Sequence, residues 1–209
     1  ANAMAELRVL TRGPVLAALA LTVVGASAMF TVFTYITPIL RQMTHASLGF
    51  VTAMLVTYGV GLTIGNWLGG RFADRSVDRT LIVTLASLTV ILVAFAMLMS
   101  FAVPTAILVF LWGIASFALI PPLQIRVMHA ASDAPNLASA MNIGAFNLGN
   151  AIGAAAGGGV IAAGIGYPAV ALTGAVASAL GLVAVIVSVR RATATRAPLV
   201  QTISGAVSS

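Results

Sequence analysis

Long apolar runs separated by short polar joints organise this chain from one end to the other. Six runs are long enough to cross about 30 Å of hydrocarbon, which takes roughly 20 helical residues. They extend from Pro14 to Leu40, Leu48 to Gly70, Thr80 to Met99, Val103 to Leu123, Leu137 to Ile165 and Tyr167 to Val189. The runs are continuous rather than alternating, which excludes the strands of a membrane β-barrel. The pattern predicts an all-α integral membrane protein of six transmembrane helices, embedded in a lipid bilayer. It divides into a cytoplasmic segment 1–13, a membrane domain 14–189 and a cytoplasmic tail 190–209 rich in Thr, Ala and Ser.

Composition agrees. Of 209 residues, 60% are hydrophobic and 7% charged, against about 25% charged in soluble domains. The net charge of +6 raises nucleic acid as a partner until the ten Arg are placed; there is no Lys. They are spread along the joints, whereas a nucleic-acid binder gathers its cations on one face. Assigning alternate joints to one side collects Arg8, Arg12, Arg71, Arg75, Arg79, Arg126, Arg190, Arg191 and Arg196 there, and leaves Arg41 on the other. Arginine in short loops stays cytoplasmic. Both termini are therefore expected in the cytoplasm, and the asymmetry requires an even number of spans.

The chain also resembles itself. Gly65-Asn66 in span two meets Gly149-Asn150 in span five at an offset of 84 residues, and Pro38 meets Pro122 at the same offset. Spans one to three thus repeat as spans four to six. Three is odd, so the second copy crosses in the opposite sense. The result is a 3+3 inverted repeat, an architecture of secondary transporters. Gly61, Gly65 and Gly69 recur every four residues, as do Gly149, Gly153 and Gly157. Each set lies along one helix face, where a neighbouring backbone can approach closely. These are the expected packing faces of spans two and five, and the surface they meet is expected to lie outside the chain.

No acidic residue falls within a span; Glu6, Asp74, Asp78 and Asp133 all lie at cytoplasmic joints. A proton relay would need an intramembrane acid from elsewhere. The polar residues expected to be buried within the spans are uncharged: Thr34, Tyr35, Thr37, Tyr58, Asn66, Trp67, Asn142, Asn147 and Asn150. Buried amides must find partners, within the bundle or on a substrate. Phe30, Tyr35, Asn142 and Phe146 combine aromatic faces with hydrogen-bonding groups well inside their spans. They are the candidate contacts for a small-molecule substrate. Cysteine is absent, and His45 and His129 lie on opposite sides. No Ser/His/Asp set, metal-ligand spacing or phosphate loop is present, so no enzyme chemistry, cofactor or metal is expected.

The densest charge pattern runs Gly69-Gly70-Arg71-Phe72-Ala73-Asp74-Arg75-Ser76-Val77-Asp78-Arg79 between spans two and three. Opposite charges in so short a turn can form a latch, with Asp74 accepting from an Arg or a helix N-terminus. The segment resembles the inner-loop signature of the major facilitator superfamily, Gly-x-x-x-Asp-Arg-x-Gly-Arg-Arg. Gly70, Asp74, Arg75 and Arg79 match it; Val77 and Asp78 depart from it. The stretches Phe30 to Pro38 and Asn142 to Gly149 are similar to the drug:proton antiporter branch, including its sugar-efflux-like bacterial members. The resemblance covers about Glu6 to Arg191. It implies the C-terminal half, spans seven to twelve, of a twelve-span efflux protein in a bacterial plasma (inner) membrane. That protein would export a small solute or drug against proton entry by rocking one half against the other. The missing partner would be a second six-helix half. A homodimer with another copy, or a non-transporting membrane subunit, are the other readings.

Overall fold

The computed structural model describes residues 8, 9 and 11–207, without the side chains of 193 and 195–207. Among the described residues, the membrane domain is built from α1 (Gly13–Phe33), α2 (Ile36–Gln42), α3 (Leu48–Ala73), α4 (Val77–Leu98), α5 (Ala102–Ala118), α6 (Ile120–Ala130), α7 (Pro135–Ala162) and α8 (Tyr167–Val207). They form six helical spans, each long and apolar enough to cross a membrane. Span one joins α1 to α2, and span four joins α5 to α6. Most of segment 1–13 lies outside the described residues. Where described, the tail from 190 continues the backbone of α8 as helix.

Both composite spans break for the same reason. Pro38 has no N–H to donate to the carbonyl of Thr34 and crowds it, so the helix parts at Thr34 and Tyr35. Pro121 and Pro122 do the same to span four, which parts at Leu119. Elsewhere the joints are capped. The Ser47 hydroxyl accepts from the Phe50 amide at 3.2 Å, and that of Ser76 from the Arg79 amide at 3.3 Å. The tight turn before α8 uses Gly164 and Gly166 at positive φ, which glycine adopts without strain. Span four continues past the expected Leu123 to Ala130, which puts Arg126 on a helix rather than in a loop.

The two halves of the repeat interlock. Span two packs most extensively on span four, and span five on span one. Spans three and six pack against each other. Leu81, Leu85, Leu88 and Leu92 form a fully buried stripe along α4, and the Ser178 hydroxyl of α8 donates to the carbonyl of Leu85 at 2.9 Å.

Both glycine stripes are spent inside the bundle. Gly61, Gly65 and Gly69 lie on the backbone of Phe110, Ile114 and Ala118. Gly149, Gly153 and Gly157 lie on that of Val23, Ser27 and Thr31. The expectation that these faces meet a surface outside the chain is thereby corrected. So is the repeat's register. The packing relates Gly61 to Gly149 and Gly65 to Gly153, an offset of 88, one helical turn beyond the 84 of the Gly-Asn identity.

Candidate functional site

The midplane of the bundle carries a row of aromatic rings. Phe146 of α7 meets Phe30 of α1 edge-on, with centroids 6.1 Å apart. Phe30 meets Phe33 at 5.5 Å, and Phe33 stacks on Tyr58 of α3 at 5.3 Å. Tyr58 in turn lies 4.4 Å from Trp112 of α5. Four spans thus contribute to one continuous aromatic surface. Trp112 and Tyr58 are buried, Phe30 and Phe146 half-buried, and Phe33 exposed. Phe33, in the middle of the row, offers apolar and π contacts on its exposed side, with Tyr58 and Trp112 as a rigid support behind it. Tyr58 and Phe146 occupy corresponding positions of the repeat at the offset of 88.

Towards the Arg-rich side the core turns polar. The Thr22 hydroxyl donates to Asn142 Oδ1 at 2.7 Å, and Asn142 Nδ2 donates to Gln124 Oε1 at 2.6 Å. Gln124 Nε2 then donates to Ser139 Oγ at 2.8 Å. This chain joins spans one, four and five. It uses both ends of the Asn142 amide, which is 5% exposed. In a dry interior such a network holds its helices in one arrangement.

The inner ends are tied by charge. Arg126 Nη1 pairs with Asp78 Oδ1 at 2.7 Å, and Arg126 Nη2 donates to the Ser188 hydroxyl. Spans three, four and six therefore share one guanidinium, beside a cavity of about 380 Å³ that His129 and Val77 also line. Arg12 pairs with Asp133 at 2.7 Å. Among the described residues Asp74 is in neither ion pair and is exposed, as are Arg75 and Arg79. Gly70 lies on the last turn of α3, where its carbonyl accepts from the Asp74 amide.

The four sequence candidates for substrate contact divide. Phe30 and Phe146 touch. Tyr35 donates its hydroxyl to the Ala154 carbonyl at 2.7 Å and lies over Gly157 and Gly158. Asn142 belongs to the buried network rather than to an open wall. The expectation of burial is corrected for Asn66, Trp67, Asn147, Thr34 and Thr37, which lie at membrane depth but on uncovered helix faces and are exposed. Trp67 stands beneath the Arg71 guanidinium, 5.8 Å away. Phe33, Trp112 and Gln124 escape a reading of the sequence because apolar context hides their neighbours. Asp78 carried a signal: an acid where the inner-loop signature has a base.

Six spans in two interlocked halves, with the first span of each half broken at proline, have the architecture of half of a secondary-transporter fold. The chain belongs to the major facilitator superfamily, whose family model matches residues 17–206. It is 56% identical over 186 residues to the "Inner membrane transport protein YdhP" of Escherichia coli strain K12, covering 89% of this chain and 48% of that protein. It is 32% identical over 180 residues to the "Uncharacterized MFS-type transporter YfhI" of Bacillus subtilis strain 168, covering 86% and 45%. It is 32% identical over 187 residues to a "Probable sugar efflux transporter" of Mannheimia succiniciproducens, covering 89% and 46%. The chain spans about half the length of these relatives.

Proposed function

We propose that this chain is the C-terminal half of a transporter that exports a small solute or drug across the bacterial inner membrane, coupled to proton entry, by alternating access. One observation carries the reading. Asn66 of span two and Asn147 of span five are exposed at membrane depth, and an amide facing hydrocarbon is costly. Spans two and five are also the least buried of the six. Their outward faces are suited to a second six-helix half, which would supply the intramembrane acid this chain lacks. Phe33, Phe30 and Phe146 would then line the substrate path at the junction. Gly70, Asp74, Arg75 and Arg79 would close it on the cytoplasmic side, with the exposed Asp74 reaching across the junction. Names of relatives fit an inner-membrane exporter and a sugar-like solute.

The test is to express this chain together with the part of the Escherichia coli relative that it does not cover. Purification of a one-to-one complex, with proton-driven efflux in vesicles that neither part gives alone, is the expected result. Cysteines at Asn66 and Asn147 should crosslink to the added half. Crosslinks between copies of this chain in its place, with flux from this chain alone, would replace the reading by a homodimer.

A further inference from the structure

Spans two, three and four leave a groove of about 540 Å³ at the Arg-rich end of the bundle. Phe72 of α3 forms one wall, Val83, Ser87 and Ile91 of α4 the other, and Ile114 and Ala118 of α5 the floor. Thr80 and Thr84 also reach it, but their hydroxyls donate to the carbonyls of Ser76 and Thr80 on their own helix. The wall therefore offers few free donors. Val83 is 64% exposed, so the groove opens sideways, where lipid lies.

The mouth has the opposite character. Arg75 and Arg79 both line it, and neither is in the two ion pairs among the described residues. Among the described residues no carboxylate lines the groove. From Arg79 to Ile91 the helix rises about 18 Å, close to one leaflet's share of a hydrocarbon core roughly 30 Å thick. A guanidinium presents a fork of N–H donors that matches phosphate oxygens.

We infer that this groove holds one acyl chain of an anionic phospholipid of the cytoplasmic leaflet, with Arg75 and Arg79 on its phosphate. The charge selects the headgroup class. Two cations at the mouth of a groove whose described lining includes no carboxylate complement a net negative lipid. The depth selects the chain, since an apolar slot one leaflet deep suits hydrocarbon. The site shares Arg75 and Arg79 with the proposed inner closure. It gives the inner-loop arginines an occupant whenever the loop is not engaged across the junction.

The full chain, reconstituted in nanodiscs of mixed phosphatidylglycerol and phosphatidylcholine, tests this by native mass spectrometry of retained lipid. One phosphatidylglycerol per chain should stay bound in preference to phosphatidylcholine. Arg75→Gln with Arg79→Gln should weaken retention about thirtyfold, roughly fivefold for each arginine. Ser87→Trp fills the groove from an exposed position, leaves both arginines in place, and should also weaken retention. Arg190→Gln should not. Equal retention of the two lipids, an equal loss on Arg190→Gln, or indifference to Ser87→Trp overturns the inference. Full displacement by inorganic phosphate does so too, since it would reduce the site to a headgroup contact.

Discussion

A methyl group on Gly153 would stand 2.5 Å from the carbonyl oxygen of Ser27. The α1 and α7 backbones are therefore in direct contact, with no room for a side chain between them. Gly153→Ala should destabilise the bundle by about 1–3 kcal/mol, the usual cost of overpacking. Gly61→Ala, whose methyl would meet the Phe110 carbonyl at 2.7 Å, should behave alike. Gly144→Ala in the same α7, with nothing within 4 Å, should be neutral or slightly stabilising. Unfolding in mixed detergent micelles separates the three.

Asn142 holds three spans through one amide. Asn142→Leu would leave Gln124 Oε1 without its donor and reduce the Thr22 hydroxyl to its 3.4 Å approach to Ala18. A loss of roughly 1–3 kcal/mol follows from stranding a buried polar group. Equilibrium unfolding measures it, and an unchanged midpoint would show that the network contributes no stability.

The inner loop separates into two acids with different work. Asp78 is engaged with Arg126, whose side chain is 22% exposed against 52% for Asp78. A double-mutant cycle of Asp78→Asn and Arg126→Gln should return a coupling of about 0.2–1 kcal/mol, shrinking in high salt. Asp74→Asn should leave the stability of this chain within about 0.5 kcal/mol. In the assembled transporter it should instead raise cysteine accessibility from the cytoplasmic side. Unchanged accessibility would remove Asp74 from the proposed latch.

Along the aromatic row, stability and recognition should come apart. Trp112 is 2% exposed, so Trp112→Ala should cost about 3–5 kcal/mol. Phe33 is 36% exposed, and Phe33→Ala should spare folding while lowering apparent affinity for substrate in the assembled transporter. Flux assays over a range of solute concentrations test the second effect, and thermal unfolding the first.

Hydropathy was enough to read six spans and their order, because lipid imposes length and apolar character on local sequence. Which faces meet was not legible. Apolar context is the same on every side of Gly65 or Gly153, so the stripes announce close packing but not its partner. A motif repeated every four residues also aligns equally well one turn away, which is why the Gly-Asn identity misplaced the register. The partner of Asp78 lies 48 residues further on, beyond any local pattern. Tyr35 and Asn142 were legible as polar groups at depth, but the Ala154 carbonyl and Gln124 that occupy them were not. Asn66 and Trp67 were expected to be buried because they lie at membrane depth, yet depth in a bilayer does not say which side of a helix is covered.

The crossed pairing of spans one and five has a consequence for synthesis. Val23 and Gly149, which touch in the finished bundle, are 126 residues apart in the chain. At roughly 5–20 residues per second, span one waits about 6–25 s in the bilayer before the helix that covers it has been made. Its hydroxyls are prepared for that interval: Thr22, Ser27 and Thr31 each reach a carbonyl one turn back on their own helix. A nascent chain stopped after span three would hold span one satisfied in lipid but without span five, available to whichever glycine-faced helix arrives first.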